Sequence, residues 1–329
     1  MVGERWGATL VLGGSGFLGA HVLDAFLRES LRRGTAGAGG IERVLSAGRV
    51  KPRASAGLGP ALEAEWCPFD ALHAGAAREI CDRIEPARVL VCTALSTIPE
   101  CEAYPGLARA LNVDLPRDLA RWCAERGARF LFVSTDLVFG AVPPPSTGFD
   151  ERASPAPISH YGRTKALGEK AVLATHEKAL VVRLPLLFGD SGGRGLGASD
   201  RVVQAVERGE HLSMFSDEWR TPLDVAAAAE ALVELAYRAE EGILHVAGPE
   251  RVSRHELALR ALVAHGLTRA EARARIASTT RREAGLEATR PEDVSLDASR
   301  ARALLRTELR GPSAISSRAA HQPSGEGAP

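Results

Sequence analysis

Lysine is scarce in this chain of 329 residues. Only Lys51, Lys165, Lys170 and Lys178 stand among 41 lysines and arginines, so arginine carries nearly all the positive charge. Acidic side chains balance that charge at 41. A formal charge of zero argues against a dedicated nucleic-acid binder and against a polybasic membrane contact. Long hydrophobic runs are also missing. The first apolar stretch, Ala8 to Leu12, is too short for a signal core or a membrane span, and glycines follow at once. The cysteines (Cys67, Cys81, Cys92, Cys101, Cys123) are odd in number and form no Cys-x-x-Cys pair. Reduced thiols and a cytoplasmic location are the expectation. Histidines are scattered without ligand spacing, so no metal site is expected.

What is present is an alternation of short apolar stretches with longer amphipathic ones over the first half. That is the pattern of a parallel sheet wrapped by helices. Strands are expected near 8–12, 42–47, 62–66, 87–92, 129–134 and 179–184, and helices near 16–33, 72–85, 103–126 and 159–176. Within 103–126, Leu107, Leu111, Leu115, Leu119 and Trp122 form one apolar stripe. The fold class expected is α/β, a Rossmann-type doubly wound parallel sheet over residues 1–185, with part of 222–247 packing back on it. A smaller mixed α/β lobe covers 186–310. It holds a glycine-rich loop at 189–197, helices near 222–238, 253–265 and 299–306, and a strand at 243–247. Residues 311–329 read as a disordered tail, and Gly34 to Gly40 as a flexible connection.

Gly13, Gly16 and Gly19 recur at three-residue spacing directly after the first strand, and Phe17 and Leu18 open the helix that follows. Glycines there let the backbone approach a pyrophosphate, which the helix N-terminus then meets. Gly34/Gly37/Gly40 and Gly189/Gly192/Gly195 repeat the spacing. The first of these follows a helix end, and the second has polar, flexible residues between its glycines. Context selects the first turn as the dinucleotide site. The second strand ends near Arg49, with Lys51 and Arg53 behind it and no acid between Val44 and Leu62. Cations there suit a 2′-phosphate, so NADPH is favoured and NADH remains possible. Arg49 is the leading contact, while Lys51 and Arg53 can equally be a solvated basic loop. Asp70 can hold the adenine amino group or cap a helix.

Tyr161 and Lys165 lie four residues apart on an expected helix, hence on one face. Neither Tyr104 nor Tyr237 has a lysine at that offset. The fifth strand ends in Ser134-Thr135-Asp136, at the mouth of the ligand crevice of such a sheet.

These residues resemble a known family. Gly13 to Gly19, Ser-Thr-Asp-Leu-Val-Phe-Gly at 134–140 and Tyr-Gly-Arg-Thr-Lys at 161–165 resemble the extended short-chain dehydrogenase/reductases. The stretches 96–102, 110–113, 215–222, 243–248 and 290–297 are similar to the dTDP-4-dehydrorhamnose reductase branch. The resemblance implies a triad of Thr135, Tyr161 and Lys165. Tyr161 would protonate the alkoxide as hydride arrives, Lys165 would favour the ionised phenol and bind the nicotinamide ribose, and Thr135 would orient the ketone. It also places Ala94, Ser134 and Pro185 with the cofactor, and Thr97, Asp136 and Arg220 with the substrate. Ser134 can instead hold the strand end, and Asn112 is expected to tie the long helix to the site.

For the reaction, the resemblance implies reduction of a 4-keto group on a nucleotide-activated deoxysugar, with the lobe at 186–310 binding the substrate. A dehydratase would carry Asp-Glu after the threonine; here the pair is Asp136-Leu137. An NAD-dependent 4-epimerase is an alternative, and a non-catalytic dinucleotide-binding regulatory subunit is another. Arg220 suits a bidentate diphosphate grip or a salt bridge with Asp217 or Glu218. Trp219 can pack on the ligand or fill the lobe interface. The Ala226–Ala229 run departs from relatives that place an acid near that helix start. The 189–197 loop is expected to border the substrate. Helices 103–126 and 159–176 offer a homodimer face.

Overall fold

The computed structural model describes residues 7–36, 42–53 and 63–315. In chain order the elements are β1 (Thr9–Leu12), α1 (Phe17–Ala36), β2 (Val44–Gly48), β3 (Glu65–Pro68), α2 (Ala76–Ile84), β4 (Arg88–Val91), α3 (Ile98–Ala103), α4 (Pro105–Arg109) and, after a π-helical turn (Ala110–Asp114), α5 (Leu115–Arg126). Then come β5 (Arg129–Thr135), α6 (His160–Thr175), β6 (Leu180–Leu184), β7 (Leu187–Phe188), α7 (Ala198–Glu207), β8 (Leu212–Phe215), β9 (Trp219–Arg220), β10 (Leu223–Asp224), α8 (Val225–Ala236), β11 (Gly242–His245), β12 (Val252–Ser253), α9 (Arg254–Ala264), α10 (Arg269–Arg275), β13 (Ile276–Thr279) and α11 (Ser299–Leu304).

Seven strands form one sheet in the order β11-β6-β5-β4-β1-β2-β3, every neighbouring pair parallel. The expected Rossmann-type doubly wound sheet is therefore present. Its central strands β1 and β4 are apolar runs because helices cover both faces: Leu10, Val11, Leu12, Val89, Leu90 and Val91 are fully buried, whereas edge strand β3 (Glu65–Pro68) has no buried residue. The order reverses between β1 and β4, so a crevice opens past their carboxyl ends. The alanine run of α8 is a packing device. Small side chains at Ala227, Ala228 and Ala231 bring α8 into one core with Val22, Phe26 and Leu27 of α1. The remaining strands form short pairs, β8 with β13, β7 with β10 and β9 with β12, and α7, α9 and α10 share a separate small core around Leu259 and Leu262.

Several expected elements differ in detail. The helix expected at 103–126 runs in continuous helical backbone as α4, the π turn and α5, and Tyr104, at φ −130°, separates it from the short α3 ahead of it. Pro99, Pro105 and Pro116 each occupy a first-turn position, where a missing N–H costs nothing. Helix α5 ends at Gly127, whose φ of 66° is left-handed. Among the described residues after 310, Pro312–Ala314 form a 3₁₀ turn, and the Ser313 N–H reaches Glu250 Oε1 at 2.7 Å, so the order extends past Gly311. Gly34 belongs to α1, whereas 37–41 and 316–329 lie outside the described residues.

Helix α6 sits unusually close to its neighbours. A Cβ on Gly162 would overlap the Leu137 carbonyl, and one on Gly168 would overlap the Asn112 carbonyl. Glycine-to-alanine exchange in an open helix stabilises by up to about 1 kcal/mol. Gly168→Ala should instead destabilise this protein by about 1–3 kcal/mol through overpacking. Urea unfolding decides the sign, and a stabilised variant would contradict the contact.

Candidate active site

The first turn fits a dinucleotide. Gly13 has φ 88°, and a Cβ there would stand 2.8 Å from the Thr93 nitrogen; a Cβ on Gly19 would run into the Gly13 carbonyl. Strand and helix thus meet with no room for side chains, and the opening N–H groups of α1, at Phe17 and Leu18, have no intrahelical acceptor. Ala94 follows β4 beside this turn, and buried Pro185 follows β6. Arg49 is exposed at the end of β2, as are Lys51 and Arg53. Asp70 is exposed; its Oδ1 accepts from Leu72 N at 3.1 Å and closes a local turn, while α2 starts only at Ala76.

The catalytic candidates converge at the end of β5. Ser159 caps α6 by accepting from Gly162 N at 3.1 Å, which sets Tyr161 in the first turn. The Tyr161 ring packs with Cys101, Ala108 and Leu137, leaving the side chain almost buried. Burial pushes the phenol above its ordinary range; a hydrogen bond with Thr135 opposes this, and Asp136 adds to it. Burial thus favours the protonated phenol.

Lys165 is also buried. Its Nζ donates to the Val133 carbonyl at 2.7 Å and lies 3.9 Å from the centre of the Phe132 ring. Burial lowers its pKa to about 7, with the Glu169 carboxylate opposing. The Lys165 ammonium is thus turned to the end of β5, one helical turn along α6 from Tyr161. Behind it, Ser134 Oγ meets Glu169 Oε1 at 2.5 Å, and Arg183 grips both Glu169 oxygens at 2.9 and 2.6 Å. Ser134 thereby holds the strand end to α6. Asn112, carried by the π turn, bonds both the N–H and the carbonyl of Leu95 and the Thr164 hydroxyl, each at 3.0 Å. It ties the loop after β4 to α6.

Asp136 links this group to the second lobe. Thr135 Oγ1 donates to Asp136 Oδ1 at 3.1 Å, and Asp136 Oδ2 lies 3.7 Å from Arg220 Nε. Arg220 also donates from Nη2 to Glu218 Oε1 at 2.9 Å, and Arg290 reaches the other Glu218 oxygen at 3.0 Å. Arg220 is buried, so this is no surface pair. Burial raises the Asp136 pKa against the pull of Arg220. Burial also works to raise Glu218, yet Arg220, Arg254 and Arg290 together hold it below the ordinary carboxylate range. Among the described residues, buried Asp136 Oδ2 and Arg220 Nη1 find no hydrogen-bond partner. Arg290 and Arg254 were not singled out from the sequence; their signal is spatial only.

Further placements complete the surroundings of the site. Thr97 is the N-cap of α3, accepting from Glu100 N at 3.3 Å and donating to Glu100 Oε2 at 2.5 Å, so its hydroxyl is already committed. The 189–197 loop lies against the first glycine turn, with Arg194 Nη1 donating to the Ser15 carbonyl at 2.7 Å. The acid thought missing near α8 is Asp224, which caps that helix through Ala227 N at 2.9 Å. Trp219 stacks with the Arg251 guanidinium at 4.0 Å. Among the described residues no cluster could hold a metal ion, and no helix is long and apolar enough to cross a membrane.

A lysine whose folded pKa is about 7, against 10.5 when solvated, leaves the unfolded chain binding more protons between those values. Stability conferred by neutral Lys165 therefore rises with pH from about 7. Relative to Lys165→Met, the wild type should gain up to about 1.4 kcal/mol per pH unit between roughly pH 7 and 9. Paired urea melts give the difference, and parallel pH profiles would contradict it.

The family model described as RmlD substrate binding domain matches residues 8–312. A dTDP-4-dehydrorhamnose reductase from Mycobacterium tuberculosis is 37% identical over 172 residues, covering 50% of this chain and 55% of the relative. The chain thus spans just over half the length of that reductase. The methionine adenosyltransferase 2 subunit beta of Pongo abelii is 30% identical over 236 residues, covering 70% of this chain and 68% of the relative. Among solved structures, dTDP-4-dehydrorhamnose reductase from Bacillus anthracis in complex with NADP superposes with a TM-score of 0.71 at 23% identity, covering 93% of this chain and 95% of that one. By the span of the matched model, together with the glycine turn and the Tyr-Lys helix, the chain belongs to the RmlD substrate binding domain family.

Proposed function

We propose that this protein reduces a 4-keto group on a nucleotide-activated deoxysugar with NADPH, NADH being a possible substitute. The observation that carries the reading is the line Tyr161, Thr135, Asp136, Arg220. It joins a buried, protonated phenol to a buried guanidinium with a donor to spare. A reductase of a diphosphate-linked sugar needs both, an acid at the ketone and a cation at the diphosphate.

Gly13, Gly16, Gly19, Phe17 and Leu18 would hold the dinucleotide's pyrophosphate, and Arg49 its 2′-phosphate. When bound, that cofactor supplies the hydride. Tyr161 gives its proton to the ketone oxygen as charge develops there, and Thr135 hydrogen-bonds the same oxygen and fixes its direction. Lys165 would bind the cofactor's ribose and supply the positive charge that favours the ionised phenol. Arg220 grips the sugar nucleotide's diphosphate through Nη1, with Arg290 and Arg254 adding positive potential. Asp136 holds Arg220 in place, a structural use that leaves no second acid for water elimination.

The likeness to methionine adenosyltransferase 2 subunit beta supports a second reading, a dinucleotide-binding regulatory subunit without turnover. Purified protein mixed with NADPH and a TDP-4-keto-6-deoxysugar separates the two. The enzyme consumes NADPH; the subunit binds it and consumes none across a panel of keto-sugars. Tyr161→Phe should lower kcat by about 10²-fold or more, the usual worth of a positioned proton donor, with NADPH affinity retained. Arg220→Lys keeps the charge but loses the fork, and should raise KM for the sugar nucleotide by roughly tenfold with little change in kcat. An unchanged KM would remove Arg220 from the substrate.

A further inference from the structure

The segment 189–197 is built to move and yet is tied at both sides. Gly189, Gly192, Gly193 and Gly195 all have positive φ, between 63° and 133°, which only glycine adopts readily. Its root is the first half of α7. Ser191 N donates to Asp200 Oδ2 at 2.6 Å, Gly189 N to Ser199 Oγ at 2.9 Å, and Gln204 Nε2 to the Gly193 carbonyl at 2.9 Å. On its other side it touches the glycine turn. Arg194 bridges the Ser191 and Ser15 carbonyls at 2.8 and 2.7 Å, His21 Nε2 meets the Asp190 carbonyl at 2.8 Å, and Gly197 lies so close to the Phe17 ring that a Cβ would stand 2.7 Å from it.

Neutral carbonyls such as those of Ser191 and Ser15 are weak partners for the full positive charge of the Arg194 guanidinium. The same group stands beside Gly13–Gly19, the turn whose backbone is shaped for two phosphates. Charge-assisted bonds to an anion are about twice as strong as those to a carbonyl.

We propose that residues 189–197 form a strap over the bound dinucleotide and that Arg194 is its cation, shifting its guanidinium from the Ser15 carbonyl to the diphosphate oxygens when the cofactor enters. This deepens the cofactor reading above and rests on it. Because the strap is rooted on α7, whose Val202 packs in one small core with Leu259 and Leu262 of α9, closing it also steadies the second lobe. Cofactor binding thereby prepares the lobe that carries Arg220.

The test uses two ligands that share the 2′-phosphate but differ in the diphosphate. NADPH is titrated by its fluorescence and adenosine 2′-monophosphate by calorimetry, against wild type, Arg194→Ala and Arg194→Lys, with unfolding midpoints to verify folding. Arg194→Ala should weaken NADPH by about ten- to a hundredfold, leave adenosine 2′-monophosphate within about twofold, and be partly rescued in Arg194→Lys. Unchanged NADPH affinity overturns the strap alone. Equal loss of both ligands also overturns it, since damage to the turn would explain that pattern. If the wild type binds neither ligand, the cofactor reading and the strap fall together.

Discussion

Helix α6 lies directly on two carbonyls, those of Leu137 and Asn112, because Gly162 and Gly168 present no side chain there. The geometry of the site follows from that approach. It lowers Tyr161 onto the end of β5 beside Thr135, and it brings Lys165 under the same strand end, where the Val133 carbonyl takes its ammonium. The π turn contributes the other half of the contact. Its irregular backbone turns Asn112 inward, so one amide holds both the loop after β4 and the helix that carries the tyrosine. Helix α6 is further fixed from behind by Arg183, Glu169 and Ser134, a fully bonded buried group.

Charge is spent in the interior where it does little for stability. Replacing a buried ion pair by apolar side chains is often neutral or stabilising, so the group of Asp136, Glu218, Arg220, Arg254 and Arg290 calls for another reason. Its composition supplies one. The guanidiniums outnumber the carboxylates, Glu218 is held ionised by three of them, and one Arg220 donor has no protein partner. Under the proposed reading that reason is an anion from outside. Asp136 connects the cluster to the end of β5 through Thr135, so the groups proposed for diphosphate grip and for proton transfer share one chain of contacts.

The parts legible in the sequence were those where chemistry or covalent geometry restricts the residue type. The seven-stranded sheet was readable from buried apolar runs. The glycine turn was readable from its place between strand and helix, and the Tyr161–Lys165 pair from its spacing on a helix rather than from propensity. Pro105 announced the break at Tyr104 that sets α3 apart from the helix carrying the leucine stripe, while the π turn at 110–114 has no local signature. In the second lobe, β8, β13 and α10 span only four, four and seven residues, too few for periodicity to mark them. The direction of the 189–197 loop, the grouping of Arg290 and Arg254 with Arg220, and the commitment of Thr97 to a cap are tertiary facts with no local signature. Asp224 was overlooked because it stands just ahead of the alanine run, in the capping position and not within the helix.

Transfer of an isotope tests the central claim most directly. The protein is incubated with NADPH carrying deuterium at the transferable position of its nicotinamide and with a nucleoside-diphosphate 4-keto-6-deoxysugar, and the product is read by NMR. The account predicts deuterium on the sugar carbon that bore the ketone, with one NADPH consumed for each product formed. Tight binding of NADPH with no deuterium delivered to any keto-sugar tried would contradict it.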